Sequence, residues 1–175
     1  EENITGGDTD FSAVLTNIKA LDFDLIYAPI YSVEAGLFIK QARENGIDAP
    51  IMGADGFDDA ASMGEVIGVD NFNNVFFTNH FAANDPTAVE FTTLFEEKLG
   101  KMPNGFNALG YDLANYIMQA CGRATELTTE GVHAALLDGS EFSGVTGTFT
   151  LDELHNPIKT VVVSEYVSGV PTFKD

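Results

Sequence analysis

Apolar and polar residues alternate with two different periods along the first 80 residues of the chain. Apolar positions three and four residues apart predict helices that bury one face, the first after Asp10 and the next two in EAGLFIKQARENG and AASMGEVIG. The short apolar runs FDLIYAPIY, APIMGAD and NVFFTNHF lie between them and are typical of buried strands. The first run ends at Pro29, and Gly46 fits the end of the second helix. Strands separated by helices predict a parallel sheet with right-handed crossovers.

The pattern changes near residue 85, where three helical stretches follow one another with no strand between them. Asp85 and Pro86 are typical of a helix start, and a longer helix is predicted over NGFNALGYDLANYIMQACGRA, with a third over TTEGVHAALLDG. The apolar stripe of the longer helix comprises Phe106, Leu109, Leu113, Ile117, Ala120 and Ala124. Such stripes need a sheet or a partner to cover them, and this stretch contains no strand of its own.

The stretch from residue 144 to the end again favours strands. GVTGTFTLDE and NPIKTVVVSEYV are separated by a turn at Asn156 and Pro157, and SGVPTF adds a short third strand. The order is therefore α/β, then helical, then β. This order predicts a chain that crosses from one lobe to another and returns.

Composition and charge narrow the classes of function. Hydrophobic residues make up 45% of the 175 residues, which is a globular composition. The net charge of −19, from 8 Lys and Arg against 27 Asp and Glu, argues against nucleic acid or an anionic membrane surface as a partner. The single cysteine, Cys121, excludes a disulfide within one chain and is expected to be a buried core thiol.

Two strand ends carry groups that suit a small ligand. The first apolar run delivers Tyr31, and the second delivers Asp55 within PIMGADGFDD. Neighbouring strands lie about 4.8 Å apart, so a phenol and a carboxylate there can reach one molecule. An ionised carboxylate only accepts hydrogen bonds, and an ammonium group is a natural partner. Phe57 is expected to add an apolar or cation–π wall.

A purely structural interpretation of Asp55 competes with this one. An Asp after a strand is often a helix N-cap or a turn residue, and the residues alone leave both interpretations open. Motifs of catalysis and metal binding are missing from the sequence, since His80, His133 and His155 fall in different predicted elements. We therefore predict neither a catalytic nor a metal site.

Three segments of the chain resemble a known family, and they occur in the order that the family has. The stretch TDFSAVLTNIKALDFDLIYAPIYSVEAGLFIKQARENGIDAPIMGADGFDD is similar to the second lobe of type I periplasmic binding proteins, most of all to the branched-chain amino acid-binding branch that serves ABC importers. The segment FNALGYDLANYI resembles the long helix of that family, and VTGTFTLDELHNPIKTVVVSEYVSGVPTF resembles its closing hairpin. The resemblance implies an α/β fold of the periplasmic binding protein type I class, with a parallel sheet flanked by helices, present as an incomplete two-lobe fragment.

The resemblance also implies roles for individual residues. Tyr31 and Asp55 would line the ligand cleft, with Asp55 on the ligand α-ammonium group, and Phe57 matches a position that is often aromatic. Many members carry a second Tyr where this chain has Ser32, so Ser32 is a further candidate for ligand contact. No cofactor is implied.

The implied domain boundaries follow from the two lobes. Residues 1–78 would form the α/β segment of the second lobe, and residues 79–81 the first crossing. Residues 82–143 would be the helical part of the first lobe, 144–150 the second crossing, and 151–175 the closing hairpin of the second lobe.

The function that the resemblance implies is binding without catalysis. The chain would belong to the extracytoplasmic substrate-binding component of an ABC importer, which holds an amino acid or similar amine-bearing solute between two lobes and delivers it to a membrane permease. The alternative is a ligand-sensing receptor ectodomain with the same fold. Because the helical stripes lack a cover, this segment is also expected to self-associate.

Overall fold

The computed structural model describes residues 1–68 and 71–174, with all side chains in that range except those of residues 60 and 61. It divides into two compact units, of which unit 1 comprises residues 1–79 and the chain from Val162 onward, and unit 2 comprises residues 80–161. Among the described helices, none combines the length and the apolar character needed to cross a membrane. In chain order the elements are α1 (Ser12–Lys19), β1 (Ile26–Tyr27), α2 (Ser32–Glu44), β2 (Ile51–Gly53), α3 (Ala60–Ile67), β3 (Val75–Asn79), α4 (Val89–Leu99), α5 (Gly105–Arg123), α6 (Thr129–Leu136), β4 (Phe142–Gly144), β5 (Gly147–Leu151), β6 (Pro157–Ile158), β7 (Val162–Val167) and β8 (Val170–Lys174).

Unit 1 is built on a five-stranded sheet with the strand order β1-β2-β3-β7-β8. The first three strands are parallel, which confirms the prediction from the alternating pattern. Strand β7 runs antiparallel to β3, with Ser164 opposite Phe77, and forms a hairpin with β8. The turn residues Ser168 and Gly169 both have positive φ, as a two-residue type I′ hairpin turn requires.

The helices of unit 1 begin and end where local chemistry favours it. The Asp10 carboxylate accepts the Ser12 N–H at 2.9 Å at the start of α1, and Asp59 accepts the Ser62 N–H at 3.1 Å at the start of α3. After α2, Gly46 takes a φ of +72°, which a residue with a Cβ adopts only at a cost. The apolar spacing in EAGLFIKQARENG predicted a helix that buries one face, and α2 confirms it, because the apolar residues at that spacing are buried: Ala35, Phe38, Ile39 and Ala42.

Arg43 joins the loops at the opposite end of the sheet from the predicted site. Its guanidinium group donates to the carbonyl oxygens of Ala49 at 3.1 Å and Asn73 at 2.8 Å, and also to that of Ile47. These carbonyls precede β2 and β3. One half-buried side chain therefore fixes the entry of both strands, although burial lowers the pKa of Arg43 below its ordinary value.

Unit 2 combines three helices with an antiparallel sheet of β4, β5 and β6. One apolar cluster contains Phe81, Ala88, Phe91 and Ala108. A second group joins the rings of Tyr116, Phe142 and Phe149, whose centroids lie 5.3–5.4 Å apart. Between them, the buried Asp112 carboxylate of α5 accepts the N–H groups of Val145 at 2.9 Å and Thr146 at 2.8 Å.

The return crossing differs from the predicted boundary. We expected it at residues 144–150, whereas the chain enters unit 1 again at Val162. The reason is that β5 pairs with β4 on one side and β6 on the other, so residues 151–161 stay in unit 2. The first boundary, between Asn79 and His80, lies within the predicted crossing at 79–81.

Helix α5 packs with a different face from the one its apolar stripe suggested. Its buried residues are Gly105, Ala108, Asp112, Tyr116 and Ala120. Three members of the predicted stripe, Phe106, Leu113 and Ile117, are 51%, 58% and 41% exposed. Within the described residues, Phe106, Leu113 and Ile117 of the stripe are thus uncovered, while Ala120 of the stripe is buried and the adjoining face that contains Asp112 packs in the core of unit 2.

Candidate functional site

The parallel pairing of β1 with β2 brings two loops to the same edge of the sheet. In the register, Tyr27 lies opposite Met52, so both strands end at the same height. After β1 the chain passes to Tyr31, which is the N-cap of α2. After β2 it enters a 3₁₀ turn, Asp55–Phe57. Both candidate residues thus follow the carboxyl ends of neighbouring parallel strands, where ligands bind in open α/β sheets.

The start of α2 and the 3₁₀ turn are in direct contact. A methyl group on Gly56 would lie 2.7 Å from the carbonyl oxygen of Ile30 and 3.1 Å from the ring of Tyr31, so only glycine fits there. The Ser32 hydroxyl donates to the carbonyl oxygen of Gly56 at 3.3 Å. The structure therefore brings Tyr31, Ser32 and Asp55 together at one edge, with Tyr31 69% exposed.

The Asp55 carboxylate is half-buried and unpaired. Within residues 1–68 and 71–174 it has no hydrogen-bond or ion-pair partner, and it makes no capping hydrogen bond to its own turn. The cap of α3 is Asp59 instead. Asp55 is therefore not a helix cap but is a turn residue, which was the other form of the structural interpretation, and its role toward a ligand ammonium group stays a prediction.

Phe57 does not form the expected wall of the site. Its ring has no exposed surface and belongs to the core of unit 1. A methyl group on Gly53 would come within 2.3 Å of that ring, which shows how closely the ring packs beneath the end of β2. A ring in this position supports the turn that carries Asp55 but cannot contact a ligand at the surface of unit 1.

Tyr166 is a residue of the site that the sequence analysis missed. It lies on β7, and its buried phenol donates a hydrogen bond to the carbonyl oxygen of Phe57. Burial raises the pKa of Tyr166 above its ordinary value, and the nearby Asp58 and Asp59 raise it further. The only signal in the sequence was the alternation in VVVSEYV, which places residues 164 and 166 on one face.

Other features of unit 1 do not coincide with this site. A groove of about 270 Å³ lies beside β1 and is lined mainly by apolar residues of α1, β1 and the loop between them, among them Val14, Ile18 and Leu25. It includes neither Tyr31 nor Asp55. Among the described residues, no group of three or more His, Cys, Asp or Glu side chains is arranged to hold a metal ion.

Known proteins match almost the whole chain. A family model described as periplasmic binding protein matches residues 1–170. The Leu/Ile/Val-binding protein BraC3 of Rhizobium johnstonii is 31% identical over 156 residues, which cover 86% of this chain and 41% of that protein. The Leu/Ile/Val-binding protein homolog 3 of Brucella melitensis is 28% identical over 155 residues, 87% of this chain and 41% of that protein.

Solved structures of the same class superpose closely. The branched-chain amino acid transporter substrate-binding protein LivJ of Streptococcus pneumoniae, in complex with isoleucine, has a TM-score of 0.86 and 33% identity, covering 96% of this chain and 48% of that chain. The leucine-binding protein LivK of Thermotoga maritima has a TM-score of 0.87 and 34% identity, covering 98% of this chain and 49% of that chain. The chain spans about half the length of these relatives or less.

Proposed function

Because the chain belongs to the periplasmic binding protein family, whose type I fold it shares, we propose that it forms part of the substrate-binding component of an ABC importer. Its ligand is an amino acid or a similar amine-bearing solute, bound without catalysis. One observation carries the proposal: an unpaired, half-buried carboxylate, Asp55, lies beside an exposed phenol, Tyr31, at the carboxyl ends of two parallel strands.

The chemistry of these groups suits an ammonium ion. A carboxylate has two oxygens that accept hydrogen bonds, and an α-ammonium group has three N–H donors. A half-buried acceptor without a hydrogen-bond partner costs free energy in the ligand-free protein. A charged donor that binds to it therefore gains more binding free energy than it would at an exposed acceptor. The exposed Tyr31 hydroxyl supplies a second acceptor, while the Ser32 hydroxyl already donates to Gly56 and its role is to hold the turn.

The relatives point to the ligand class. BraC3 is named for leucine, isoleucine and valine, and LivJ was solved with isoleucine. We propose an α-amino acid with an apolar side chain for this protein. The carboxylate and the side chain of such a ligand need binding partners in addition to Asp55 and Tyr31. An extracytoplasmic location and a membrane permease as partner belong to the same proposal.

The test is Asp55→Asn in the protein at its full natural length, with leucine, isoleucine and valine as ligands in titration calorimetry. The substitution keeps the shape of the side chain and removes its charge. The ligand ammonium group would then be desolvated without its counter-ion, so we expect a loss of about 2–5 kcal/mol in binding. This corresponds to a dissociation constant roughly 30-fold to several thousand-fold higher.

The matched control is Asp59→Asn, in the same segment. Asp59 caps α3, and asparagine caps a helix nearly as well as aspartate, so the affinity is expected to stay within about twofold of the original. The melting temperature of both variants should also be nearly unchanged. An unaltered dissociation constant in Asp55→Asn, for a ligand that bears an amine, would overturn the assignment of Asp55.

A further inference from the structure

We infer that Tyr166 is a positioning residue for Asp55: its hydrogen bond to the carbonyl oxygen of Phe57 fixes the 3₁₀ turn from below and thereby orients the carboxylate that receives the ligand. The inference rests on the proposed function, and it adds to the site a residue 109 positions away in the sequence. Tyr166 itself is buried and does not reach the ligand.

The hydrogen bonds of the turn support this role. The carbonyl oxygen of Asp55 accepts the Asp58 N–H at 3.0 Å, and that of Gly56 accepts the Ser32 hydroxyl. The carbonyl oxygen of Phe57 accepts the Asp59 N–H at 2.9 Å and the Tyr166 hydroxyl. Every carbonyl of the turn is thus held, two of them by side chains from other elements, while the Asp55 carboxylate alone remains open.

The packing around Tyr166 makes its hydroxyl a rigid anchor. Its ring centroid lies 4.3 Å from that of Phe72 and 5.3 Å from that of Phe77, and its hydroxyl lies 3.8 Å from the sulfur of Met63. A ring enclosed in this way has one available orientation. Since the phenol stays protonated throughout the physiological range, it acts as a hydrogen-bond donor at every relevant pH.

Tyr166→Phe removes the hydroxyl and keeps the ring. We expect the dissociation constant for leucine, in the protein at its full natural length, to rise about 2- to 12-fold, because a hydrogen bond of this kind contributes about 0.5–1.5 kcal/mol. Hydrogen exchange of the turn amides, at Phe57 and Asp58, should become faster. Combined with Asp55→Asn, the substitution should have little further effect on binding, since the group it orients is then no longer charged.

The matched control is Tyr116→Phe in unit 2. Tyr116 also donates its hydroxyl to a backbone carbonyl, that of Leu136, and also packs against two aromatic rings. Tyr116→Phe should lower the melting temperature by about as much as Tyr166→Phe does. It should leave the affinity for leucine and the hydrogen exchange of the Phe57 and Asp58 amides unchanged. This comparison separates positioning of Asp55 from a general loss of stability.

The outcomes of the two proposals are distinguishable. If Tyr166→Phe raises the dissociation constant equally with and without Asp55→Asn, the coupling is absent and the inference is overturned. Unaltered exchange of the Phe57 and Asp58 amides overturns it as well, and this readout needs no ligand. Failure of the original protein to bind any amine-bearing ligand overturns the proposed function instead.

Discussion

The turn that carries Asp55 depends on two glycines that lack room for a side chain. Gly53 leaves space for the Phe57 ring beneath the strand end, and Gly56 allows the turn to touch the start of α2. Neither requirement comes from positive φ, because both residues lie outside the left-handed region. The site is therefore assembled by close backbone approach, which no residue with a Cβ permits.

We expect Gly56→Ala to damage the site more than it damages the fold. The added methyl group would lie 2.7 Å from the carbonyl oxygen of Ile30, which is backbone and cannot turn aside, so the turn must shift away from Tyr31. Overpacking of this kind costs about 1–3 kcal/mol of stability. Chemical denaturation should show that loss, and titration with leucine should show weaker binding.

Gly110→Ala is the control for this prediction. A methyl group on Gly110, which lies inside α5, meets nothing within 4 Å. Alanine is favoured over glycine in a helix interior by roughly 0.5–1 kcal/mol, so this variant should be more stable than the original chain. A Gly56→Ala variant that matched Gly110→Ala in stability and bound leucine normally would contradict the account of the turn.

At the scale of elements, Asp112 joins α5 to the sheet of unit 2 by hydrogen bonds. Its carboxylate accepts the Val145 and Thr146 N–H groups and the Thr146 hydroxyl, the last at 2.7 Å. Lys159 donates to the same hydroxyl at 2.9 Å, and burial lowers the pKa of Lys159. A single buried carboxylate thus satisfies two backbone donors at the turn between β4 and β5.

Asp112→Asn should destabilise unit 2 by about 2–4 kcal/mol, because an amide can accept only through its oxygen and its NH₂ group then faces a backbone N–H. Urea denaturation measures the total loss of stability, and hydrogen exchange at the Val145 and Thr146 amides locates it.

Asp152→Asn is the control, since Asp152 also accepts two backbone N–H groups but in an exposed turn, where water can replace them. We expect less than about 1 kcal/mol there. Equal losses in the two variants would contradict the role given to Asp112.

At the scale of the whole molecule, the exposed apolar residues of α5 and the net charge of the chain have opposite effects on self-association. The helix has 19 residues and is about 28 Å long, and its outer face carries Phe106, Leu113 and Ile117. An apolar face of that length favours association, whereas a charge of −19 on each copy favours separation. Salt screens the repulsion, with a Debye length of about 10 Å at 0.1 M, and leaves the apolar term intact.

We therefore expect the 175-residue chain to self-associate at micromolar concentration, and more strongly as salt is added. Light scattering coupled to size-exclusion chromatography measures this. Leu113→Lys combined with Ile117→Lys should abolish the association, although these changes reduce the net negative charge. Leu127→Lys combined with Leu154→Lys makes the same charge change at exposed leucines outside α5 and should not abolish it. A stable monomer in high salt would refute the prediction.

The residues of the chain were sufficient to predict its helices, its parallel strands and the position of Tyr31 and Asp55. Helical and strand periodicities are local properties, and α2 buries the four residues that its spacing indicates. The order of strands and helices determined that β1 and β2 are parallel, which places the groups after both strands at one edge. These conclusions depend only on residues that are close in sequence and on the right-handedness of the connection between parallel strands.

Tertiary structure alone decided what each of these groups contacts. Phe57 follows Asp55 by two positions, yet its ring is buried in a core to which distant residues such as Tyr166 belong, and Gly53 leaves room for it under the strand end. Tyr166 joins the turn from a strand 109 residues away, and α5 buries the face that contains Asp112 in preference to its more apolar stripe. In each case the burial of a side chain depends on surfaces supplied by distant segments, and periodicity within one element carries no information about them.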